Sequence, residues 1–354
     1  MLSYTISSSL QVVIVALEDN SADRKTGDNL LAMIYDKIQY TEHHFDVRIV
    51  SFVSDSGGES KKARRLLATK RPDLVVLPCY AHQTYLIVGD YFKCNADILA
   101  YASRAEQVIS WLRSKTYVLA QLQIFQEHSN PGVLPKSVVR AVLTRWTSHF
   151  LAYRRLLFLR PYIMTMVQQD SNASESQIIT GSSSAKAKAV EIISYLNDDK
   201  FWSAVKQMEL HLEPFAYATN ITQSDKAQLD SVLLVFALLY NRFEHFPTTT
   251  VSDKIVVETI CNSINTRWEA SDQDVFIAAV ILNPTHKTRP FRKCRWFSLG
   301  LISVLMVRLY CRFFGNPTPP ELLQEVAEYL QDKGLYRYMK TYQDLYAQTQ
   351  DTVR

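Results

Sequence analysis

The chain has 354 residues, of which 47% are hydrophobic, 21% charged and 11% aromatic, and its 39 Lys and Arg against 35 Asp and Glu give a formal net charge of +4. This composition predicts one large or two modest domains with an apolar core, and it excludes disorder as the general state. The nine glycines argue against a turn-rich all-β fold and against a glycine-rich phosphate loop.

The first part of the chain alternates between strand-like and helix-like segments. Three short β-branched runs, Leu10–Leu17, Val47–Val53 and Leu74–Leu77, have the pattern of strands buried on both faces. Between them, Asp28–Tyr40 and Ser60–Lys70 have apolar residues at helical spacing. This order predicts parallel βαβ units with right-handed crossovers.

From His82 onward the pattern is helical. The Ser- and Ala-rich stretch Gln168–Lys188 predicts a surface loop, and Asn316–Pro320 predicts a break. The charge-free stretch Trp296–Val307 is about half of the roughly 20 residues that cross a bilayer, so it predicts a buried helix and no membrane partner. The other predicted helices are Gln83–Tyr91, Ala100–Gln126, Val138–Met166, Ala187–Thr219, Ser231–Phe246 and Glu321–Leu330.

The predicted fold class is therefore α/β plus all-α. We expect a partial α/β core over residues 1–93, a helical domain over residues 94–315 and C-terminal helices over residues 316–354 that return to the core. Met1–Leu17 lacks the basic start of a signal peptide, and the five cysteines form no CxxC pair. These features favour a reduced, intracellular protein.

Positive charge is concentrated in three segments that contain no Asp or Glu. They are Pro131–Arg160 with six cations, Val275–Pro320 with seven, and the cluster from Lys61 to Arg71 with six. One-sided segments of this kind favour a phosphate backbone as partner. The alternative is that each is a solvated helix face balanced in space by acidic neighbours.

Three short motifs follow one another along the chain. Asp55 ends the second predicted strand, Cys79 and His82 form a C-x-x-H turn after the third, and Arg145 and Trp146 belong to a T-R-W sequence in a basic helical region. This order resembles the hAT family of DNA transposases. The stretches LEDNSADRKTGDNLL, at residues 17–31, and HLEPFAYAT, at residues 211–219, are similar to fungal members.

The resemblance covers about Leu10 to Leu330 and implies an RNase H-like domain with a large helical insertion. Such a domain holds two divalent metals with three carboxylates. Here only Asp55 matches, which makes it a relic catalytic residue and a ligand for Mg²⁺ or Mn²⁺ only if the chain is catalytic. The resemblance implies truncation at both ends, with the first two strands missing before Met1 and the S-x-x-S-E-R motif absent before Arg354.

Other carboxylates of the chain are candidate substitutes for the missing ones. Asp19 also follows a predicted strand, and Glu321, Glu325 or Glu328 would take the place of the helix Glu. The alternative for Asp19 is a surface or capping residue, and for Asp55 a turn residue in Asp-Ser-Gly-Gly.

The resemblance also implies DNA contacts at His82, Arg145 and Trp146, to which the basic segment adds Arg154 and Arg155. The alternatives are a His at a helix start, a Trp in the core and a Cys79 packed at the sheet end. Cys79 and His82 alone make at most half a zinc site, because no second pair stands at finger spacing.

We therefore expect a nuclear, transposase-derived, catalytically inactive protein that binds DNA. One alternative is a protein-interaction module or homo-oligomer, in which neutralising Arg145, Arg154 and Arg155 together leaves function unchanged. Others are a residual metal-dependent strand-transfer enzyme and a fragment that does not fold stably, since missing strands expose ladder edges.

Overall fold

The computed structural model describes residues 14–17, 24–140, 146–224, 227–291, 297–339 and 341. Its contacts divide the chain into two compact units, Met1–Cys79 with Ile281–Arg354 (unit 1) and Tyr80–Val280 (unit 2). The described part is mostly helical and has one small sheet of two parallel strands. The domain boundaries expected at residues 93 and 315 stay predictions.

The helices and strands follow one another along the chain as α1 Gly27–Phe45, β1 Ser51–Ser54, α2 Gly58–Lys70, β2 Val75–Pro78, α3 Tyr80–Lys93, α4 Ala100–Ser114, α5 Thr116–Ser129, α6 Trp146–Ser171, α7 Ser183–Leu196, α8 Asp199–Thr222, α9 Leu229–Glu244, α10 Val251–Glu269, α11 Gln273–Leu282, α12 Leu299–Phe314 and α13 Glu321–Leu330. None of these helices is long and apolar enough to span a membrane.

Unit 1 contains the sheet. β1 and β2 pair in parallel from Ser51 opposite Val75 to Ser54 opposite Pro78, and α2 forms the crossover between them. The buried side chains of Ile38, Leu67 and Leu74 form its core. The predicted βαβ arrangement is thus present in this pair of parallel strands and the helix between them.

The expectation of three strands is wrong for the described part of the chain. Residues 14–17 lie outside any strand and are exposed, Ile14 by 75%, while residues 10–13 lie outside the described residues. The second strand also begins later than predicted. The Val47 N–H donates to the Glu42 carbonyl, and the Ile49 N–H donates to the Glu42 side chain. The backbone of residues 47–49 is therefore bonded to the last turns of α1 before the strand begins.

Unit 2 is helical, and two of the long helices predicted for it are each divided into two. The predicted helix Ala100–Gln126 is two helices, because Lys115 is extended between α4 and α5. The predicted helix Ala187–Thr219 is also two, since the Asp198 carboxylate accepts the Lys200 N–H and starts α8. Residues 138–140 of the predicted helix Val138–Met166 are not helical. The loop predicted at Gln168–Lys188 is shorter, because α6 and α7 extend into it from both sides.

Candidate nucleic-acid interface

Asp55 forms part of the turn that starts α2. Its Oδ1 accepts the Gly57 N–H at 3.2 Å, and its backbone carbonyl accepts a hydrogen bond from the Arg64 guanidinium. Arg64 is buried and also bonds the Ser54 hydroxyl at 2.7 Å. Burial lowers the pKa of Arg64, and the negative charge of Asp55 opposes that shift. The contacts of Asp55 are those of a turn residue at a strand end.

The residues around Asp55 do not fit a pair of divalent metals. In the described ranges no group of three or more His, Cys, Asp or Glu side chains could hold a metal ion. Mg²⁺ requires several oxygen ligands in near-octahedral geometry, which one carboxylate cannot supply. Glu321, Glu325 and Glu328 lie on α13, and Asp19 lies outside the described residues.

Cys79 and His82 have separate surroundings. The Cys79 N–H donates to the Ser54 carbonyl at 2.7 Å and so continues the β1–β2 pairing by one residue, with its side chain half-buried. His82 lies in the first turn of α3, half-buried, with its ring centroid 6.0 Å from that of Tyr85. Cys79 is thus packed at the sheet end. The position of His82 in the first turn of α3 fits both a DNA contact and an ordinary residue at a helix start.

The basic cluster on α2 is largely used inside unit 1. Lys62 pairs with Asp28 at 2.5 Å, and Lys70 lies 3.6 Å from the Tyr35 ring centroid. Arg71 binds both Glu42 and Asp73. These cations join α2 to its neighbours, as the balanced-face interpretation of the sequence proposed.

Cations of the basic segment Val275–Pro320 also make contacts inside unit 1. Lys287 is buried, with its Nζ 2.5 Å from the Asp332 carboxylate and 2.7 Å from the Tyr329 carbonyl. The Arg312 guanidinium donates to the backbone carbonyls of Pro72 and Leu74 at 2.9 Å. Arg292, Lys293 and Arg295 lie outside the described residues.

The remaining basic segment, Pro131–Arg160, forms a surface on unit 2, where residues 130–138 run alongside α6. Asn130 Nδ2 donates to Tyr162 Oη at 2.9 Å, and further along the loop Arg155 Nη1 donates to the Ser137 carbonyl at 2.5 Å. Between these points Lys136 Nζ lies 4.4 Å from the ring centroid of Phe158. The loop and the helix thus run in opposite directions with a defined pairing.

Two polar side chains on neighbouring helices, the buried Gln126 on α5 and the exposed Arg113 on α4, hold this loop in place. The Gln126 side chain accepts the Lys136 N–H at 2.9 Å and donates to the Lys136 carbonyl at 3.2 Å. Arg113 on α4 donates to the Val138 carbonyl at 2.8 Å. Because both backbone groups of Lys136 are bonded, its position beside α6 is fixed although the segment has no regular structure.

The exposed side of this arrangement combines cations with apolar side chains. We call Lys136, Arg140, Leu151, Arg154 and Phe158 the basic–aromatic surface. Leu151 is 52% exposed and Phe158 42% exposed, while Lys136, Arg140 and Arg154 are also exposed. Residues 131–160 contain no Asp or Glu, and the acid that pairs with Arg160 at 3.2 Å, Asp199, comes from α8.

The structure brings part of the predicted contact set together. Arg154 and Arg155 lie on α6 at this surface, with Arg155 half-buried and anchoring the loop. Arg145 lies outside the described residues, and Trp146 begins α6 with a side chain that is also outside them. Phe158 was missed, because an aromatic residue on an amphipathic helix is more often core. Its spacing from Leu151 and Arg154, seven and four residues, was the signal that could have found it.

No known protein-family model matches this chain, and no curated protein is significantly similar to it.

Proposed function

We propose that this chain is a transposase-derived nucleic-acid-binding protein, related to the hAT family and without strand-transfer activity of its own. The single observation that carries the binding half is the basic–aromatic surface, where an acid-free segment presents Lys136, Arg140 and Arg154 to solvent. The order of the motifs around Asp55, Cys79 and Trp146 supports the relationship to hAT transposases.

The surface has the chemistry that phosphate binding requires. Lys and Arg neutralise phosphates and release condensed counterions, which makes affinity fall with salt. Arg155 supports this surface by donating to the Ser137 carbonyl, which holds the loop beside α6. The loop is therefore positioned before any ligand arrives, which reduces the entropy lost on binding.

The catalytically silent half of the proposal rests on Asp55. Its carboxylate serves the α2 turn, and it is not joined by two further ligands within the described ranges. Mg²⁺- or Mn²⁺-dependent cleavage of a transposon-end DNA that is lost in Asp55→Ala would overturn this half. We include nuclear localisation in the proposal, since chromosomal DNA would be the partner.

The binding half is tested by fluorescence anisotropy of the full chain with labelled DNA at several salt concentrations. Lys136→Gln with Arg154→Gln should weaken binding about tenfold and reduce the slope of log K against log salt by about two, because each lost phosphate contact lowers it by roughly 0.9. Lys61→Gln with Arg65→Gln removes the same charge from exposed positions on α2 and is the matched control.

Two results would reject the proposed surface. If the chain does not bind DNA in a salt-sensitive manner, it is not a nucleic-acid-binding protein of this kind. If the α2 control variant weakens binding as much as the α6 variant, the affinity reflects net charge and not the basic–aromatic surface.

A second candidate function, protein interaction, is favoured by α12. Leu301, Val304 and Phe314 on this helix are each about half exposed, which is more apolar surface than a solvent-facing helix usually shows. Light scattering of the purified chain tests whether this helix supports a homo-oligomer, and a mass unchanged by Val304→Lys would argue against its involvement.

A further inference from the structure

The ring of Phe158 is the most unusual feature of the basic–aromatic surface. It projects from α6 with 42% of its area exposed, next to Tyr162, whose ring centroid lies 6.1 Å away. Its other neighbour is the Lys136 ammonium, 4.4 Å from the ring centroid. An exposed aromatic ring beside a cation is the arrangement on which unpaired bases stack in proteins that bind single strands.

The spacing of the cations around this ring suits a nucleotide chain. Arg154 lies four residues before Phe158 on α6, so the two side chains are neighbours on one helix face about 6 Å apart along the axis. A nucleotide carries its base next to its phosphate, so an exposed ring with the Lys136 ammonium beside it can engage both at once. The Arg154 guanidinium lies 5.8 Å from the ring centroid of Phe150, which is one turn earlier on the same helix. The exposed Leu151 extends the apolar part of the face.

We infer that the basic–aromatic surface binds single-stranded nucleic acid in preference to duplex, with an unpaired base stacked on Phe158 and the flanking phosphates paired with Lys136 and Arg154. The inference rests on the proposed function and specifies its ligand. A duplex cannot satisfy the ring in this way, because its bases are already stacked on one another and extruding one costs a few kcal/mol.

The test is fluorescence anisotropy of the full chain with a mixed-sequence single-stranded DNA, the same sequence as a duplex, and the corresponding single-stranded RNA. We expect either single strand to bind more tightly than the duplex, and comparison of DNA with RNA identifies which sugar is preferred. Phe158→Ala should weaken single-strand binding at least fivefold, since a stacked base contributes about 1–3 kcal/mol. Duplex binding should change less than twofold.

Matched variants separate stacking from folding. Phe158→Trp should retain single-strand binding because it keeps a π face, whereas Phe158→Leu keeps the apolar contact with the helix but should bind like Phe158→Ala. Tyr217→Ala removes another exposed aromatic side chain of unit 2, on α8, and should have no effect. Far-ultraviolet circular dichroism melts of each variant show whether the fold is retained.

The outcomes distinguish this inference from the proposed function. Equal or tighter binding of the duplex, or full binding by Phe158→Leu, overturns the stacking inference while phosphate binding by Lys136 and Arg154 still stands. Failure of both single strand and duplex to bind overturns the proposed function itself.

Discussion

At the scale of single residues, the buried His211 is held in a neutral state by its surroundings. Its Nδ1 lies 3.4 Å from Tyr91 Oη on α3 and its Nε2 lies 3.4 Å from Gln207 Nε2. The Gln207 amide also donates to Asp253 Oδ1 at 3.0 Å, so its orientation is fixed and it presents a donor to His211. A protonated Nε2 would face that donor. Burial lowers the pKa of His211 to about 4, against the opposing charge of Asp253.

This environment predicts that the protein loses stability in mild acid. The pKa of His211 is depressed on folding from an unfolded value of about 6.5, so between these values the unfolded state binds a proton that the folded state does not. The free energy of unfolding should therefore fall as the pH drops from about 6.5 towards about 4. Urea unfolding at a series of pH values measures this slope.

A variant comparison assigns that slope to His211. His211→Gln, which cannot titrate, should reduce it, and part of the slope should persist because burial also lowers the pKa of His149. His245→Gln changes an exposed histidine and is the control. A slope that is identical in His211→Gln and in the unaltered chain would contradict the prediction.

The candidate site shows how far single residues could be predicted from sequence. The acid-free segment around Arg154 was evident, because charge composition is local. The contact between Lys136 and Phe158 was not, since the two residues are far apart in sequence and their approach depends on side chains such as Gln126 that hold the loop. Asp55 was assigned as a relic ligand, yet its contacts with Gly57 depend on a turn whose composition was already visible in the sequence.

At the scale of elements, prediction succeeded where local signals agree. α13 has the bounds predicted from Pro320 and the apolar spacing that follows it, and α6 and α8 continue through Pro161 and Pro214 as their predicted helices did. The expected first strand failed over its described residues, because an apolar run specifies burial and not the partner that provides it.

The start of α10 offers a test of how much one helix cap contributes. Thr250 Oγ1 accepts the Asp253 N–H at 3.1 Å, and Asp253 Oδ2 accepts the Thr250 N–H at 2.9 Å, which forms a reciprocal capping box. Thr250→Ala should lower the free energy of unfolding by about 1 kcal/mol, because the Asp253 N–H loses its acceptor. Denaturant unfolding measures the change.

Thr250→Ser is the matched control for the cap, since it keeps the hydroxyl oxygen and should retain most of the stability. Equal losses in the Ala and Ser variants would show that the methyl group of Thr250, and not its hydrogen bond, is responsible. Asp253→Ala should cost more than either, because the carboxylate also accepts the Gln207 amide that faces His211.

At the scale of the whole molecule, hydrophobic burial is unevenly divided between the two units. Among the described residues, the fully buried side chains of unit 1 include Leu67, Leu74 and Ile281 but no aromatic ring. Those of unit 2 include the aromatic side chains of Trp202, Tyr91, Tyr153, Phe201, Phe215, Phe243 and Phe276. Buried apolar area is the main favourable term in folding, so unit 2 should be the more stable unit.

Chain connectivity acts in the same direction. Unit 2 is continuous in sequence, whereas unit 1 joins two segments that the whole of unit 2 separates. Bringing distant segments together adds loop-closure entropy to the cost of folding. This asymmetry bears on the alternative that the chain is a fragment that does not fold stably, because a weakly stable unit 1 would leave unit 2 intact.

We therefore predict two transitions in differential scanning calorimetry of the full chain, with unit 2 unfolding at the higher temperature. A chain limited to residues 80–282, which keeps α11 whole, should reproduce the upper transition. A single-stranded oligonucleotide should raise that transition alone, because a ligand stabilises the unit to which it binds. If the upper transition is missing from the shorter chain, unit 2 is not the more stable unit. If the oligonucleotide shifts only the lower transition, unit 2 is not the unit that binds it.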